Sequence, residues 1–197
     1  MNMKALTIAG SPRRGGNSEL LLDSFSSGLM SNNALVEKVV LNELNLKPCQ
    51  ACGGCEQTGK CIIKDDMQSI YGKVKDCDLL IIASPIFFGS ITGQLKMMID
   101  RFQCWWVAKY ILKRPEILKE AGKRGVFLSV GGMDKREYFE AAKKIIKIYF
   151  AVINIFYGGD LFYPSIDKRG SIGEHSVALK EAFELGERGR FYYEGKS

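Results

Sequence analysis

The sequence predicts a doubly wound α/β fold, in which a five-stranded parallel sheet of strand order 2-1-3-4-5 carries helices on both faces. Two observations lead to this prediction. Short apolar runs alternate along the chain with segments of helical periodicity, which is the pattern of βαβ crossovers. One of these runs, DLLIIASP at 78–85, is apolar on both faces, as the middle strands of a parallel sheet are. The chain has 197 residues, and we expect a single domain over 1–197.

The strands are predicted from short apolar runs that end at glycine, proline or polar turn residues. The first, KALTIA, ends at Gly-Ser-Pro, and the fourth, GVFLSV, ends at a pair of glycines. The second, ALVEKVVL, leads into a cysteine-rich loop at 46–64, and the fifth is predicted from VINIFYGG. The predicted strands lie at 4–9, 34–41, 78–85, 125–130 and 152–159. Five strands fit this order better than a six-stranded dinucleotide-binding sheet does.

The helices are predicted from apolar residues spaced three and four apart and from capping residues. Asn17 and Ser18 are good N-cap residues for the first helix. Asp65 and Gln68 stand at capping-box spacing at the start of the second. His175, the only histidine, lies at the start of the last helix, where we expect a surface or capping role. The predicted helices lie at 19–30, 65–77, 92–106, 135–150 and 174–189.

The composition is that of a globular protein, with 46% hydrophobic and 25% charged residues. The net charge of +6 comes from 28 basic and 22 acidic residues that are spread along the chain. This balance indicates a solvated surface, with attraction to anionic ligands or acidic redox partners as the alternative. We expect neither nucleic-acid binding, for which no motif is present, nor a membrane span, for which no apolar run is long enough. The amino end has no leader-like segment, so we expect a cytoplasmic protein with reduced thiols.

The loop GSPRRGGNS, which follows the first predicted strand, has the composition of a phosphate-binding loop. It leads into a helix N-terminus, whose free N–H groups and positive partial charge attract a phosphate. Ser11, Asn17 and Ser18 offer polar donors, and Arg13 or Arg14 offers a guanidinium. The loop matches neither the Walker A pattern nor G-x-G-x-x-G, so it favours a terminal monophosphate over a dinucleotide. The alternative is a glycine-rich turn with two solvated arginines.

The loop SPIFFGSITG, which follows the third predicted strand, is suited to a planar ring. Phe87 and Phe88 place aromatic surface at the end of the strand, and Gly89 allows a turn there. Backbone N–H groups of such a loop can bond the polar rim of a heterocycle while apolar side chains contact its face. The alternative is that the two phenylalanines belong to the core or to a subunit contact.

Four of the six cysteines lie within one loop in the spacing Cys-x2-Cys-x2-Cys-x5-Cys. They are Cys49, Cys52, Cys55 and Cys61. This spacing resembles the bacterial ferredoxin motif, whose thiolates bind a 4Fe–4S cluster, whereas structural zinc sites use two well-separated cysteine pairs. A disulfide staple is disfavoured in the cytoplasm, and a zinc site and free redox-active thiols stay open as alternatives. Cys77 and Cys104 are isolated, and we expect them to be packing residues.

In combination, these segments resemble a known family. AGSPRRGGNSELLL, ASPIFFGSITGQLKMMIDRF and the glycine pair after strand four are similar to the NADPH-dependent FMN reductase branch of the flavodoxin-like superfamily, and CQACGGCEQTGKCIIKDDM narrows the resemblance to the iron–sulfur flavoproteins. The resemblance covers nearly the whole chain and implies a homodimer or homotetramer. It implies an FMN with its phosphate on the first loop, and cofactor contacts at Ser11, Arg13, Asn17, Ser18, Pro85, Ile86, Phe87, Phe88, Gly89, Gly131 and Gly132. It implies a cluster held by Cys49, Cys52, Cys55 and Cys61.

The function predicted from the sequence is that of a flavin-dependent oxidoreductase with FMN and a 4Fe–4S cluster. It would exchange electrons with a ferredoxin-like donor or NAD(P)H and with small-molecule acceptors. Alternatives are a cluster-free NAD(P)H-dependent FMN or quinone reductase and a zinc-stapled flavin-binding regulator. No catalytic side chain is assigned, because the cofactors carry the chemistry. Since the unusual loops all follow carboxyl ends of predicted strands, we expect the flavin and the cluster at one edge of the sheet.

Overall fold

The computed structural model describes residues 2–189 and contains a five-stranded parallel sheet in the order β2-β1-β3-β4-β5. The predicted flavodoxin-like fold class and strand order are therefore confirmed. The strands are β1 (Lys4–Ala9), β2 (Leu35–Val40), β3 (Leu79–Pro85), β4 (Arg124–Val130) and β5 (Phe156–Tyr163). The domain range expected above, 1–197, includes residues 1 and 190–197, which lie outside the described residues.

Helices cover both faces of the sheet. They are α1 (Asn17–Ser31), α2 (Met67–Asp76), α3 (Gly93–Arg101), α4 (Gln103–Trp106), α5 (Arg136–Val152) and α6 (Ala178–Arg188). A π-helical turn at Val107–Ile111 continues α4, and 3₁₀ turns lie at Leu41–Glu43, Lys119–Ala121 and Ser171–Glu174. Within the described part of the chain, no helix is long and apolar enough to cross a bilayer.

The sheet separates two apolar cores because successive side chains of a strand point to opposite faces. Leu80 and Ile82 of β3 pack with α2 to α5 on one face, whereas Leu79 and Ile81 pack with α1 and α6 on the other. All four side chains are at most 1% exposed. The continuous apolar run of β3 therefore reflects its central position, as the sequence predicted.

The contact between α1 and α6 requires two glycines. A Cβ on Gly28 would overlap the backbone around Phe183, and a Cβ on Gly186 would overlap the carbonyl oxygen of Phe25. The two helix backbones therefore approach each other more closely than side chains would allow. This contact fixes α6 over α1 on one face of the sheet.

Several predicted boundaries differ from those of the structure in their details. The helix predicted at 135–150 continues to Val152, and β5 begins at Phe156 rather than at residue 152. The capping box predicted for α2 does not form, because Gln68 Nε2 donates to the carbonyl oxygen of Ile63. Asp65 does accept a hydrogen bond from the backbone N–H of Met67 (3.1 Å), so it still caps the start of α2.

The first and last helices also begin at other residues than the sequence predicts. Gly16, not Asn17, is the N-cap of α1, and Asn17 is its first helical residue. The last helix begins at Ala178 rather than at residue 174. The capping role expected of His175 is confirmed, since its Nδ1 accepts a hydrogen bond from the backbone N–H of Ala178 (3.2 Å).

Candidate functional site

A pocket lies at the carboxyl ends of β1, β3 and β4, and we call it the edge pocket. Its lining includes nine of the eleven residues expected to contact the cofactor: Ser11, Arg13, Asn17, Ser18, Pro85, Ile86, Phe87, Gly131 and Gly132. The cavity volume is about 80 Å³, well below the roughly 300–1,000 Å³ of typical small-molecule pockets. The enclosed space therefore suits a phosphate group rather than a whole nucleotide.

The phosphate loop is shaped by short-range hydrogen bonds. The backbone N–H of Arg13 donates to Ser11 Oγ (3.0 Å), and the backbone N–H of Gly16 donates to the carbonyl oxygen of Arg13. Thr92, the N-cap of α3, donates from Oγ1 to the carbonyl oxygen of Gly10 (2.5 Å). The start of α3 therefore holds the phosphate loop beside the loop that follows β3.

The two arginines of the phosphate loop have different surroundings. Arg14 is committed to two ion pairs, from Nη1 to Glu19 Oε1 (2.7 Å) and from Nε to Glu43 Oε1 (3.0 Å), and it does not line the edge pocket. Burial alone would raise the pKa of Glu19, but hydrogen bonds from Lys38 and the Gly15 backbone, and the charges of Lys38 and Arg14, hold it below its usual value. Arg13 lines the pocket, so of the two arginines in this loop it is the one available to an anion in the pocket.

Asn17 lines the edge pocket, but its amide is already hydrogen bonded. Its Nδ2 donates to the carbonyl oxygen of Lys168 (2.9 Å), and its Oδ1 accepts from the backbone N–H of Ile172 (3.3 Å). The side chain therefore ties the start of α1 to the segment that follows β5. Its direct contact with a cofactor stays a prediction.

Phe88 and Gly89 are the two expected contacts that do not line the edge pocket. They form the tip of a tight turn in which Phe87 and Ser90 exchange backbone hydrogen bonds of 2.8 and 3.0 Å. Both tip residues have positive φ, 49° for Phe88 and 72° for Gly89, as a two-residue hairpin of type I′ requires. The Phe88 side chain is fully exposed, so its role toward a cofactor stays a prediction.

A third segment of the edge pocket comes from the loop after β5 and was not predicted from the sequence. Ile166, Asp167 and Arg169 line the pocket beside the phosphate loop. Arg169 donates from Nη2 to the carbonyl oxygen of Arg14 (2.6 Å). The backbone N–H of Ile166 donates to the carbonyl oxygen of Gly131 (2.8 Å). The sequence feature that marks this segment is the charged stretch DKRG, and its composition alone indicates a solvated surface.

A second and larger cavity, of about 750 Å³, lies between the cysteine loop and helices α3, α4 and α5. We call it the thiol cavity. Five cysteines line it: Cys49, Cys52, Cys55, Cys61 and Cys104. The spacing of four of these cysteines thus predicted their common cavity, whereas Cys104 was expected only to pack in the core.

The loop thiols influence one another within the thiol cavity. Cys52 is exposed, whereas Cys49, Cys55 and Cys61 are half-buried. Burial raises the pKa of the Cys55 thiol, and the nearby Cys61, Cys49 and Cys52 raise it further. Among residues 2–189, no three or more His, Cys, Asp or Glu side chains are arranged so that they could hold one metal ion. The structure therefore brings the thiols to one cavity but does not converge them on a single point.

A buried ion pair, which was not predicted from the sequence, closes the base of the cysteine loop. Arg101, at the end of α3, donates from Nη1 to Asp65 Oδ2 (2.6 Å) and from Nη2 to Asp65 Oδ1 (3.1 Å). Both side chains are at most 1% exposed. Arg101 also donates to the carbonyl oxygens of Lys47 (2.8 Å) and Ile63 (3.3 Å), which flank the cysteines on either side. One guanidinium therefore holds both ends of the loop.

Asp65 and Arg101 each stabilise the charged form of the other. Burial alone would raise the pKa of Asp65, but hydrogen bonds from Arg101 and from the backbone of Lys47 hold it below its usual value. The pKa of Arg101 lies above its usual value, because its bond to Asp65 and its proximity to Cys61 and Tyr71 outweigh burial. Arg101 also lines the thiol cavity, and its buried Nε has no hydrogen-bond partner among the described residues.

The two cavities do not share a lining residue. The expectation that the flavin and the cluster lie at one edge of the sheet therefore stays a prediction. The edge pocket lies at the strand ends, whereas the cysteines line a cavity against α3, α4 and α5. Helix α3 connects the two cavities. Its N-cap Thr92 contacts the phosphate loop, and its residues Lys96, Ile99, Asp100 and Arg101 line the thiol cavity. The nine residues of α3 extend over about 13 Å.

The chain is similar in sequence to a family of known proteins. The family model of the NADPH-dependent FMN reductases matches residues 3–163. An iron–sulfur flavoprotein of Methanocaldococcus jannaschii is 39% identical over 99 residues, which are 50% of this chain and 51% of that protein. An iron–sulfur flavoprotein of Methanosarcina thermophila is 34% identical over 130 residues, which are 66% of this chain and 64% of that protein. The chain thus spans about half to two thirds of the length of these relatives.

Solved structures agree with the fold. An NAD(P)H:quinone oxidoreductase from Methanothermobacter marburgensis superimposes with a TM-score of 0.77 at 15% identity, over 100% of both chains. An azoreductase from Bacillus anthracis superimposes with a TM-score of 0.74 at 16% identity, over 94% of this chain and 99% of that one. At 15% and 16% sequence identity, these similarities are evidence for a shared fold alone.

Proposed function

Because the chain belongs to the NADPH-dependent FMN reductase family, we propose that it is a flavin-dependent oxidoreductase with FMN at the edge pocket and a 4Fe–4S cluster in the thiol cavity. It would pass electrons between the flavin and one-electron partners or small acceptors. The observation that carries this proposal is the presence of two separate cavities, one beside a phosphate loop and one lined by four closely spaced cysteines. The names of the iron–sulfur flavoproteins among its relatives support the same assignment.

The edge pocket fits the phosphate end of FMN. The N-terminus of α1 offers free backbone N–H groups, and Arg13 and Arg169 flank the cavity with two guanidinium groups. Pro85, Ile86 and Gly131 line the same pocket. In this proposal their apolar side chains and backbone form the surface on which the flavin ring lies. In this proposal the chain binds and orients FMN through these groups, and Asn17 positions the segment that carries Arg169.

The thiol cavity fits a cluster by the chemistry of its donors. Four thiols on one loop are the ligand set of a 4Fe–4S cluster, and the positive φ of Ala51 and Gly53 gives the loop the curvature to wrap around a compact group. The Arg101–Asp65 pair fixes the two ends of the loop, so that the segment between them can close around the cluster. Cys49, Cys52, Cys55 and Cys61 are the proposed ligands.

When bound, FMN exchanges electrons in pairs or singly and a cluster exchanges them one at a time, so the two together suit transfer between two-electron and one-electron partners. The proposed donors are a ferredoxin-like protein or NAD(P)H, and the proposed acceptors are small molecules. Since the two cavities are separated along α3 in one chain, we propose a homodimer or homotetramer that brings the flavin of one chain near the cluster of another. Free thiols suit a reducing compartment, and we propose the cytoplasm.

Anaerobic purification, followed by iron, sulfide and flavin analysis and a visible spectrum, tests this proposal. About four irons and four sulfides per chain, with broad absorption near ~400 nm in addition to flavin bands, is the expected result. Flavin bands without iron would instead indicate a cluster-free NAD(P)H-dependent FMN or quinone reductase. Zinc without iron would indicate a zinc-stapled flavin-binding protein.

A further inference from the structure

Glu19, in the first turn of α1, places a buried carboxylate beside the phosphate loop. Its side chain is 4% exposed, and each of its oxygens has a partner. Oε2 accepts a hydrogen bond from the backbone N–H of Gly15 (2.8 Å), whereas Oε1 pairs with Arg14 Nη1 (2.7 Å) and Lys38 Nζ (2.8 Å). Glu19 does not line the edge pocket, so its effect on a group bound there is indirect.

The peptide unit between Arg14 and Gly15 is held from both sides. Its N–H donates to Glu19 Oε2, and its carbonyl oxygen accepts a hydrogen bond from Arg169 Nη2 (2.6 Å). Gly15 has a φ of 59°, in the left-handed region that glycine adopts without steric cost. Because glycine is also free to adopt other conformations, the two hydrogen bonds are what fix this part of the loop.

The residues on either side of this peptide unit, Arg13 and Gly16, both line the edge pocket. Gly16 is the N-cap of α1, and its carbonyl oxygen accepts the backbone N–H of Glu19 (3.0 Å). The backbone N–H of Gly16 donates to the carbonyl oxygen of Arg13 (3.3 Å). The way in which the loop presents its donors to an anion therefore depends on the peptide that Glu19 holds.

The charge of Glu19 by itself opposes the binding of an anion. A carboxylate repels a phosphate, and this carboxylate pairs with two cations, Arg14 and Lys38, that would otherwise attract one. If charge decides, removing the carboxylate should strengthen phosphate binding. If the fixed loop decides, the same change should weaken it. The two effects have opposite signs, so an affinity measurement separates them.

We propose that Glu19 is a positioning residue for the phosphate of FMN, an inference that rests on the proposed binding of FMN at the edge pocket. Its carboxylate holds the Arg14–Gly15 peptide in the conformation that places Arg13 and the N-terminus of α1 at the pocket. The flavin ring is not affected, because the segments proposed to contact the ring follow β3 and β4.

The test compares FMN with riboflavin, which lacks the phosphate, in flavin fluorescence titrations of the apoprotein of Glu19→Gln. A glutamine has one carbonyl oxygen, so it can accept at only one of the two positions that the carboxylate fills. We expect the Kd for FMN to rise about three- to tenfold, the equivalent of one hydrogen bond. The Kd for riboflavin should equal that of the wild type.

Asp23→Asn is the matched control. Asp23 lies one turn further along α1, pairs with the same Lys38 (2.6 Å), and does not line the edge pocket. This variant removes the same charge but leaves the bond to Gly15 intact, so its Kd for FMN should be no higher than that of the wild type. The proposal is wrong if Glu19→Gln binds FMN as tightly as the wild type or more tightly. It is also wrong if riboflavin loses affinity by the same factor as FMN, because Glu19 would then support the fold alone.

Hydrogen exchange of the wild-type apoprotein, followed by NMR, tests the hydrogen bond itself and does not require Glu19→Gln to fold. The Gly15 amide should exchange well below the rate of an unstructured peptide, and exchange at the peptide rate would overturn the proposal. The titrations also separate this role from the proposed function. If the wild type binds no FMN, the proposed function fails and this role fails with it, whereas equal binding of FMN by wild type and Glu19→Gln overturns the role of Glu19 alone.

Discussion

Single residues in the phosphate loop show what the sequence could and could not predict. Its composition predicted an arginine at the phosphate, and Arg13 and Arg14 were both candidates. Only the structure separates them, because the partners of Arg14 come from other parts of the fold: Glu19 in α1 and Glu43 after β2. Arg169 was not predicted for the same reason, since it reaches the pocket through a loop that is distant in sequence.

We predict that Arg13→Ala weakens FMN binding by about 1–3 kcal/mol, the range of a charge-assisted hydrogen bond. Arg14→Ala is the matched control, and it should have a much smaller effect because that side chain pairs with Glu19 and Glu43. Flavin fluorescence titration of the apoprotein measures both affinities. Equal losses in the two variants would contradict the assignment of Arg13 to the phosphate.

Asp65 provides a prediction on stability. Asp65→Asn leaves the buried Arg101 without its counter-charge, and we expect a loss of about 3–5 kcal/mol in the free energy of unfolding. Asp66→Asn is the control, because Asp66 is exposed and accepts one bond, from the backbone of Asn45 (2.8 Å). Urea unfolding of both variants at neutral pH measures the difference, and equal stabilities would contradict the role of the ion pair.

The pH dependence of the same pair has a defined sign. The pKa of Asp65 is lowered in the folded chain, so its stabilising contribution is complete above the unfolded value of about 3.9. This contribution is lost as the pH falls through the folded value, where the carboxylate is protonated. The stability difference between wild type and Asp65→Asn should therefore stay constant from pH 7 to about 5 and shrink below pH 4.

At the scale of elements, the sequence predicted the strands by their apolar runs, and the main error has a physical cause. The run VINIFYGG looks like one strand that ends at two glycines. In the structure its first residues end α5, and Gly159, with a φ of 142°, lies inside β5 next to a register shift opposite Gly125 and Val126. Glycines within strands often mark such bulges, but the pairing partner is needed to recognise one.

The contact between α1 and α6 gives a prediction at this scale. Gly186→Ala should destabilise the protein by about 1–3 kcal/mol, because the added methyl group overlaps the backbone of α1 and forces the helices apart. Gly72→Ala in α2 is the control, since a Cβ there meets no atom within 4 Å. That change should stabilise the helix by about 0.5–1 kcal/mol. Thermal unfolding compares the two, and a neutral Gly186→Ala would contradict the close approach.

At the scale of the whole molecule, the doubly wound sheet explains why the edge pocket was predictable. Parallel strands place their carboxyl ends at one edge, so the loops after β1, β3 and β4 had to meet. The cysteine loop was not predictable in this way, because it contains no regular element between Glu43 and Met67. Its position depends on tertiary contacts, above all on Arg101, whose charge gave no indication that it would be buried.

The assignment of the four loop thiols to a cluster is the central claim, and iron and sulfide analysis of Cys55→Ser tests it most directly. The other three loop thiols raise the pKa of Cys55, so Cys55 lies close to all of them. Cys77 does not line the cavity, and anaerobically purified Cys77→Ser is therefore the matched control. We predict about four irons per chain in the wild type and in Cys77→Ser, and loss of iron with retention of FMN in Cys55→Ser. Retention of about four irons by Cys55→Ser would contradict the account.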